Sequence, residues 1–253
     1  MAGGKSRAPK SRLDALLVAR GLAESRSQAQ ALIMAGQVFT GEQRLDKSGQ
    51  SVAADIQLQV RGPAHPWVSR GGIKLAHALE RFALDPDGMV CLDVGASTGG
   101  FTDVLLQHGA ARVYAVDVGH GQLDWKLRND SRVVVLERLN ARYLSRDDVP
   151  EPVDLIVCDA SFIGLQTLLP APLALAAPGA WLVALIKPQF EVGKGRVGRG
   201  GVVRDPSLQA KVCKRIRAWL AARPGWRVLD LAESPITGPE GNREFLIAAR
   251  FDA

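Results

Sequence analysis

The chain has 253 residues, of which 47% are hydrophobic; this fits either one large domain or a small domain followed by a medium-sized one, and it excludes wholesale disorder. The formal net charge is +6, and most of the excess lies in residues 1–61, where nine Lys and Arg accompany five Asp and Glu. Such an excess suits an anionic partner without proving one.

Cysteine usage and the N-terminal sequence indicate the compartment. The three cysteines, Cys91, Cys158 and Cys213, form neither a Cys-x-x-Cys pair nor a cluster with histidine. We therefore expect no disulfide framework and no metal site. Because the N-terminus also lacks the apolar core of a secretory signal, the cytoplasm is the expected compartment.

Residues 1–61 predict a small α+β domain that begins with a basic arm, residues 1–11. Residues 12–20 have apolar side chains at helical spacing and end at Gly21. Ser25 is placed to cap a second helix, residues 26–35, which ends at Gly36. Two strands are predicted after the helices, at residues 38–40 and 53–60, with a turn at Gly41.

This domain resembles the S4 RNA-binding domain. The resemblance rests on Arg12-Leu-Asp14, Ser25-Arg26-x-x-Ala29 and Ile33-x-x-Gly36-x-Val38, although the turn Val38-Phe-Thr-Gly41 departs from the Val-x-Val-Asn-Gly of the family. It implies that Arg12, Arg20 and Arg26 contact RNA phosphates. A surface of solvated arginines is the alternative interpretation.

Residues 62–68 are predicted to form a proline-containing linker, and residues 69–253 a second domain. Trp67 is large enough that we expect it to dock on one of the two domains. Further along, strand and helix patterns alternate, with helices predicted at residues 99–109, 161–176 and 207–222. Strands are predicted at residues 89–94, 112–117, 132–137, 153–158, 180–186, 227–232 and 243–250. The alternation predicts a Rossmann-like, seven-stranded, mostly parallel α/β sheet whose last two strands pair antiparallel.

The first of these strands leads into a glycine loop that is typical of a nucleotide-cofactor site. The loop differs from a dinucleotide fingerprint in its glycine spacing. Its acidic residue suits a ligand with a positive amino group, which favours S-adenosylmethionine. The residues predicted to bind this cofactor are Asp93, Gly95, Ser97, Thr98, Gly99, Gly100 and Phe101.

Further residues extend the predicted cofactor site. Asp117 ends the second strand, where a carboxylate accepts both ribose hydroxyls of a nucleoside. Asn140 follows the third strand and is a candidate for the adenine edge, although an ordinary loop asparagine explains it equally well. Asp159 ends the fourth strand, at the edge where ligands bind in such sheets.

Asp159 also belongs to a second set of polar residues. Lys187 ends the fifth strand. Burying a lysine there costs free energy unless the lysine forms an ion pair or takes part in catalysis. A structural ion pair with Asp159 is the simpler explanation. Lys74 is expected on a helix beside the site, and Glu244 begins the last strand.

These four residues resemble the catalytic tetrad of FtsJ-like rRNA ribose 2′-O-methyltransferases. The chain as a whole, with its S4-like domain, resembles the TlyA (hemolysin A-like) family over nearly its full length, on the motifs Gly95–Thr102, Leu127–Asp130, Lys187–Gly193 and Gly200–Val203. The resemblance implies methylation of cytidine 2′-hydroxyls in the RNA of one or both ribosomal subunits. We expect the protein to act as a monomer.

The tetrad suggests how the reaction would proceed. A ribose hydroxyl is too weakly acidic to ionise freely, so a base must assist, and Lys187 is the candidate. Asp159 would orient Lys187, and Glu244 would orient Lys74. The glycine-rich segment 189–204 follows Lys187 and is expected to close over RNA through Lys194, Arg196 and Arg199, unless it is only a solvated surface loop.

Four other functions are weighed against this one. A membrane-lytic haemolysin needs a spanning segment, and the uncharged run 162–186 is interrupted by Pro170, Pro172 and Pro178. A pseudouridine synthase is suggested only by Arg44-Leu-Asp46, which lies inside the small domain. The glycine spacing disfavours an NAD-dependent oxidoreductase. An RNA-binding protein without catalysis remains open, although every tetrad position is filled.

Overall fold

The computed structural model describes residues 9–34, 36–61, 65–193, 195–238 and 241–252, without the side chains of Ala31 and Arg199. The chain forms two compact units, residues 1–66 and 67–253.

The described residues of the first unit form two helices and five short strands. The elements are β1 (Lys10–Arg12), α1 (Leu13–Ala19), α2 (Arg26–Met34), β2 (Val38–Thr40), β3 (Gln43–Arg44), β4 (Ser51–Ala53) and β5 (Gln59–Val60). Strand β1 pairs antiparallel with β4, and β2 pairs antiparallel with both β3 and β5. Helix α1 buries Leu13, Leu16 and Leu17 against Ile33 of α2, which is the packing that its helical spacing predicts.

Two details of the small unit differ from the prediction. The continuous strand at residues 53–60 is wrong, because a turn at Ala54 and Asp55 separates β4 from β5. The guanidinium of Arg20 donates hydrogen bonds to the main-chain oxygens of Ala54 and Ile56 and so holds this turn. Strand β1 joins the last two residues of the predicted basic arm to Arg12, which was predicted to be the first residue of the helix.

The second unit is an α/β sheet with helices on both faces. Its helices are α3 (Gly71–Arg81), α4 (Gly100–Gln107), α5 (Trp125–Arg128), α6 (Leu165–Leu168), α7 (Pro170–Leu173), α8 (Pro188–Glu191) and α9 (Pro206–Ala221). Its strands are β6 (Val90–Val94), β7 (Arg112–Asp117), β8 (Val133–Glu137), β9 (Val153–Cys158), β10 (Ala176–Ile186), β11 (Trp226–Glu233) and β12 (Phe245–Phe251).

The seven strands lie in the order β11-β12-β10-β9-β6-β7-β8. Strand β12 runs antiparallel to β10 and β11, and the pairs among the other strands are parallel. This confirms the predicted Rossmann-like sheet and the antiparallel pairing of its last two strands. Central side chains such as Leu92, Leu155 and Leu182 are fully buried, as expected for strands covered on both faces.

The helix predicted at residues 161–176 is wrong in its extent. It consists of α6 and α7, and Pro170 stands at the first position of α7, where its missing N–H costs nothing. Strand β10 then begins at Ala176, earlier than predicted, with an irregular register before Trp181. Among the described residues, no helix has the length and apolar character needed to cross a bilayer.

The parallel order determines where the polar residues meet. The carboxyl ends of β6, β7, β9 and β10 lie along one edge of the sheet, which is where ligands bind in this class of fold.

At the start of the unit, Trp67 packs against Gly72, where any side chain would overlap the indole, and its ring lies 6.0 Å from that of His108. Trp67 therefore docks on the second unit.

Candidate active site

The glycine loop between β6 and α4 is shaped by two crowded glycines. Gly95 has a φ of +83°, and a Cβ there would lie 2.8 Å from the main-chain Cα of Ala160. Gly99 has a φ of +97° and packs against Leu127, leaving no room for a side chain. Both positions require glycine, and together they bring the main chain of β6 close to the segment after β9.

Asp93 lies beneath this loop and is fully enclosed. Its Oδ2 accepts a hydrogen bond of 2.7 Å from Thr102 Oγ1, and its Oδ1 has no partner within the described part of the chain. Burial raises the pKa of the Asp93 carboxyl to about 7. Asp93 lines neither of the cavities described below, so its observed contact is with the start of α4.

One cavity, of about 750 Å³, opens at the carboxyl ends of β6 and β7. Gly95, Ser97, Asp117 and Asn140 are among its lining residues. Asp117 accepts main-chain hydrogen bonds from Ser97 (2.9 Å) and Gly119 (2.7 Å), which fix its carboxylate while leaving lone pairs for a ligand. The Oδ1 of Asn140 caps the short 3-10 helix after β8, so this residue serves the loop and also lines the cavity.

A second cavity, of about 520 Å³, adjoins the first. It is lined by the four polar residues of the predicted tetrad and by Thr98, Gly100 and Phe101 of the glycine loop. The residues that line both cavities are Gly95, Ser97, Asp159, Ser161 and Phe162. Gly99 lines neither cavity and contributes the turn alone. The two spaces therefore meet at Asp159.

The structure brings Lys74, Asp159, Lys187 and Glu244 into one ion-pair network. Lys187 Nζ lies 2.7 Å from Asp159 Oδ1, and Lys74 Nζ lies 3.2 Å from Asp159 Oδ2. Lys74 also lies 2.6 Å from Glu244 Oε2. Lys74, Lys187 and Glu244 are 5%, 7% and 1% exposed, so each charge depends on its partners.

Each member of the network is held by a different element. Lys74 lies on α3, as predicted, while Asp159 directly follows β9 and Lys187 directly follows β10. Glu244 stands one residue before β12 and not inside the strand, which was predicted at residues 243–250. Its main-chain oxygen accepts a hydrogen bond of 2.9 Å from Ser234, and its Oε1 leaves no room for a Cβ at Gly238.

Two residues of the site escaped the sequence interpretation. Lys187 Nζ donates a hydrogen bond of 2.9 Å to Ser161 Oγ and another of 2.9 Å to the main-chain oxygen of Asp159. The buried carboxylate of Glu191 accepts a hydrogen bond from the Leu165 amide and pairs with Arg215, which connects α8 to the start of α6 and to α9. Ser161 could have been suspected from its place two residues after Asp159, whereas nothing in the sequence pattern indicates the role of Glu191.

The predicted RNA-binding residues of the small unit have varied surroundings. Arg12 and Arg26 both pair with the buried carboxylate of Asp14, at 2.9 and 3.4 Å, and both remain about half exposed. The Arg12 guanidinium holds the pKa of Asp14 well below its ordinary value. Two N–H groups of Arg20, one on each terminal nitrogen, are occupied by the turn after β4, which weakens its case as a phosphate ligand.

The predicted RNA-binding loop is described in part. Arg196 is exposed, between Gly193 and the 3-10 helix Arg199–Gly201. Lys194 and the side chain of Arg199 lie outside the described residues. Val197, Gly200 and Gly201 line the second cavity, so this segment borders the tetrad. Within the described ranges, no group of His, Cys, Asp and Glu is arranged to hold a metal ion.

Both parts of the chain are similar to known protein families. The FtsJ-like methyltransferase model matches residues 67–251, and the S4 domain model matches residues 11–55. The 16S/23S rRNA (cytidine-2′-O)-methyltransferase TlyA of Mycobacterium tuberculosis is 51% identical over 244 residues, covering 96% of this chain and 91% of that protein. Hemolysin A of Brachyspira hyodysenteriae is 40% identical over 239 residues, covering 93% of this chain and 98% of that protein. A solved Streptococcus thermophilus protein described as a hemolysin has 44% identity and a TM-score of 0.74, covering 96% of this chain and 89% of that chain.

Proposed function

Because the chain belongs to the TlyA family, in which an S4 domain precedes an FtsJ-like methyltransferase domain, we propose that it methylates the 2′-hydroxyl of a cytidine in ribosomal RNA. The observation that carries this proposal is the network of Lys74, Asp159, Lys187 and Glu244 at the junction of two cavities. The choice of a ribosomal cytidine, in one or both subunits, rests on the activity named for the Mycobacterium tuberculosis relative.

The cavity beside β6 and β7 suits S-adenosylmethionine. Gly95, which tolerates no side chain, lets the main chain approach a ligand closely, and the fixed carboxylate of Asp117 is placed for ribose hydroxyls. Asn140 would border the adenine. When bound, this cofactor supplies a methyl group made electrophilic by its sulfonium.

Asp93 serves the same site from beneath. Its unpaired Oδ1 and raised pKa mark it as a carboxyl that gains from a nearby cation. The ammonium of the cofactor's methionine moiety is such a cation. Because Asp93 lines neither cavity, we assign two indirect roles to it. It holds the start of α4, and its charge attracts the cofactor's ammonium from the other side of the glycine loop.

The second cavity would receive the target ribose. Lys187 Nζ, in its uncharged form, accepts the proton of the 2′-hydroxyl and leaves the oxygen as the nucleophile. Asp159 stabilises the ammonium that forms on Lys187, because its Oδ1 lies 2.7 Å away. Ser161 and the main-chain oxygen of Asp159 accept the remaining hydrogen bonds and fix the direction of Nζ.

Lys74 and Glu244 support this step. Lys74 contacts the other oxygen of Asp159 and so draws part of the carboxylate's charge away from Lys187. Glu244 holds Lys74 by the shorter of its two ion pairs. Lys74 and Glu244 therefore set how strongly Asp159 binds the proton-accepting amine.

RNA would be held by basic groups in both units. Arg12 and Arg26 of the S4 domain form a half-exposed cluster around Asp14. Arg196 is exposed on the segment whose neighbouring residue Val197 lines the tetrad cavity, and Lys194 and Arg199 belong to the same stretch of sequence. Arg20 is retained as a weaker candidate. The proposal places the protein with ribosomal subunits, hence in the cytoplasm, as a monomer.

Transfer of labelled methyl groups tests the proposal. Purified protein and tritiated S-adenosylmethionine are incubated with ribosomal subunits from cells that lack this modification, and the RNA is digested to nucleosides. We expect the label in 2′-O-methylcytidine from one or both subunits. Label on a base, or in protein, would contradict the proposed acceptor, and no transfer to either subunit would contradict the substrate.

A further inference from the structure

The side-chain amide of Asn242 joins two segments of the site. Asn242 is 1% exposed, and its Oδ1 accepts a hydrogen bond of 3.0 Å from the main-chain N–H of Val203. Its Nδ2 donates a hydrogen bond of 2.9 Å to the main-chain oxygen of Gly201. Both ends of the amide are therefore used to hold one short stretch of main chain.

That stretch forms a wall of the cavity that holds the tetrad. Gly200 and Gly201 line this cavity, and their φ angles of +76° and +78° lie in the left-handed region. Neither residue has a side chain that could anchor it to the core, so its position depends on main-chain hydrogen bonds. The second anchor is Gln209, whose buried amide donates a hydrogen bond of 2.7 Å to the oxygen of Val203.

Asn242 also belongs to the turn that confines Glu244. The main-chain oxygen of Asn242 accepts a hydrogen bond of 2.8 Å from Gly238. A Cβ at Gly238 would lie 2.7 Å from Glu244 Oε1, so this turn packs directly against the carboxylate that holds Lys74. One residue thus connects the glycine wall with the outer end of the ion-pair network.

We propose that Asn242 is a positioning residue that holds the Gly200–Gly201 wall in register with Glu244 and thereby determines how the acceptor RNA is bound. This inference rests on the proposed function. Asn242 lines neither cavity, and its hydrogen bonds go to Val203, Gly201 and Gly238, none of which is assigned to the cofactor. Its loss should therefore impair the use of RNA while leaving the affinity for S-adenosylmethionine unchanged.

The substitution Asn242→Asp tests this directly because it preserves the shape of the side chain. One carboxylate oxygen still accepts from Val203, but the other faces the oxygen of Gly201, so a hydrogen bond is replaced by a repulsion. The matched control is Asn129→Asp at the end of α5, where Nδ2 donates a hydrogen bond of 2.8 Å to the main-chain oxygen of Trp125. Asn129 lines neither cavity.

The measurements are KM for ribosomal RNA, kcat, and the cofactor Kd by calorimetry, all on the full chain. We expect Asn242→Asp to lower kcat/KM for RNA by about tenfold or more, with cofactor Kd within about twofold of wild type. Asn129→Asp should match wild type in both. An unchanged kcat/KM for Asn242→Asp overturns the inference, as does an equal loss of cofactor affinity, which would show a general structural defect.

A second variant covers the case in which Asn242→Asp fails to fold. Gln209→Leu removes the other anchor of Val203 without touching the turn at Gly238. It should raise KM for RNA with unchanged cofactor affinity, and an unchanged KM would overturn the inference. If wild-type protein fails to methylate RNA in the same assay, the proposed function itself is wrong and the inference falls with it.

Discussion

Lys187 Nζ lies 2.7 Å from Asp159 Oδ1 and 2.9 Å from the main-chain oxygen of the same residue. The two residues directly follow β10 and β9, which are adjacent and parallel. Their contact is thus a direct consequence of the strand order, because parallel neighbours end at the same edge of the sheet. The same edge carries Asp117 and the glycine loop, so the proposed base stands beside the proposed cofactor site.

The Glu244–Lys74 pair should matter for rate more than for cofactor binding. In Glu244→Gln, Lys74 loses the charge of one of its two carboxylate partners and depends more on Asp159, which weakens the hold of Asp159 on Lys187. We expect kcat to fall by roughly 10–100-fold while the cofactor Kd is unchanged. The control is Glu233→Gln, which removes an exposed ion pair with Arg243 near the end of β11. Equal kcat values for the two variants would contradict this role.

Asp93 should make the cofactor-free protein less stable as pH rises. Burial raises its pKa from the ordinary value of 3.8 to about 7. Between these pH values the unfolded chain ionises while the folded carboxyl stays protonated, so stability falls with rising pH and levels off above about 7. Asp93→Asn removes this effect and still accepts a hydrogen bond from Thr102. At pH 8, we expect Asp93→Asn to melt at a higher temperature than wild type. Its free energy of unfolding should be greater by about 2–4 kcal/mol.

The pH dependence of that difference is the decisive measurement. Thermal melts of both proteins between pH 4 and pH 8 should show the advantage of Asp93→Asn shrinking as pH falls, because the wild-type Asp93 carboxyl then becomes protonated in the unfolded chain as it already is in the folded one. The control is Asp252→Asn, since Arg227 holds the pKa of Asp252 below its ordinary value and the loss of this pair should not stabilise the protein. An advantage that does not vary with pH would count against the assignment.

Asp117 should determine cofactor affinity. Asp117→Asn keeps an oxygen for one main-chain N–H but loses the charged acceptor expected to bind ribose hydroxyls. We expect the Kd for S-adenosylmethionine to rise by about 10–100-fold, while kcat at saturating cofactor changes little. Asp130→Asn, at a loop carboxylate that lines neither cavity, is the matched control. A Kd equal to that of wild type would remove Asp117 from the cofactor site.

The basic loop should contribute to RNA affinity through charge. Replacing Arg196 and Arg199 with alanine removes two cations from the segment that contributes Val197, Gly200 and Gly201 to the tetrad cavity. The affinity for ribosomal RNA should fall, and the slope of log K against log salt should become shallower by about 1.5. The control is the double variant Arg223→Ala and Arg227→Ala, which loses the same number of positive charges. Both residues follow α9 in the sequence. An identical salt slope for wild type and the loop variant would show that the loop is only a solvated surface.

The sheet and its edge were predictable because buried parallel strands are nearly continuous runs of apolar residues in the sequence. Val153–Cys158 and the second half of β10 are nearly continuous apolar runs, each followed by one charged residue, so Asp159 and Lys187 stand out. Lys74 and Glu244 lie 170 positions apart, and they were found through resemblance to a family motif, since no local pattern relates them.

Other features depend on contacts that no short pattern contains. Strand β1 has three polar residues and is defined only by its pairing with β4. The depth of Asp93 depends on how the glycine loop closes over it, so the sequence indicated a ligand contact where the structure shows an enclosed carboxyl. Asn242 acts on main-chain groups about 40 positions away, and only the folded chain brings them together.

In the proposed reaction, Lys187 accepts the proton of the ribose hydroxyl. The direct test compares methyl transfer to unmodified ribosomal subunits by wild type, Lys187→Ala and the control Lys211→Ala, with cofactor binding measured for each. We expect Lys187→Ala to bind S-adenosylmethionine normally but to transfer methyl groups about 10²–10⁴-fold more slowly, while Lys211→Ala is unaffected. A Lys187→Ala protein with transfer rates within about threefold of wild type would show that Lys187 is not the base.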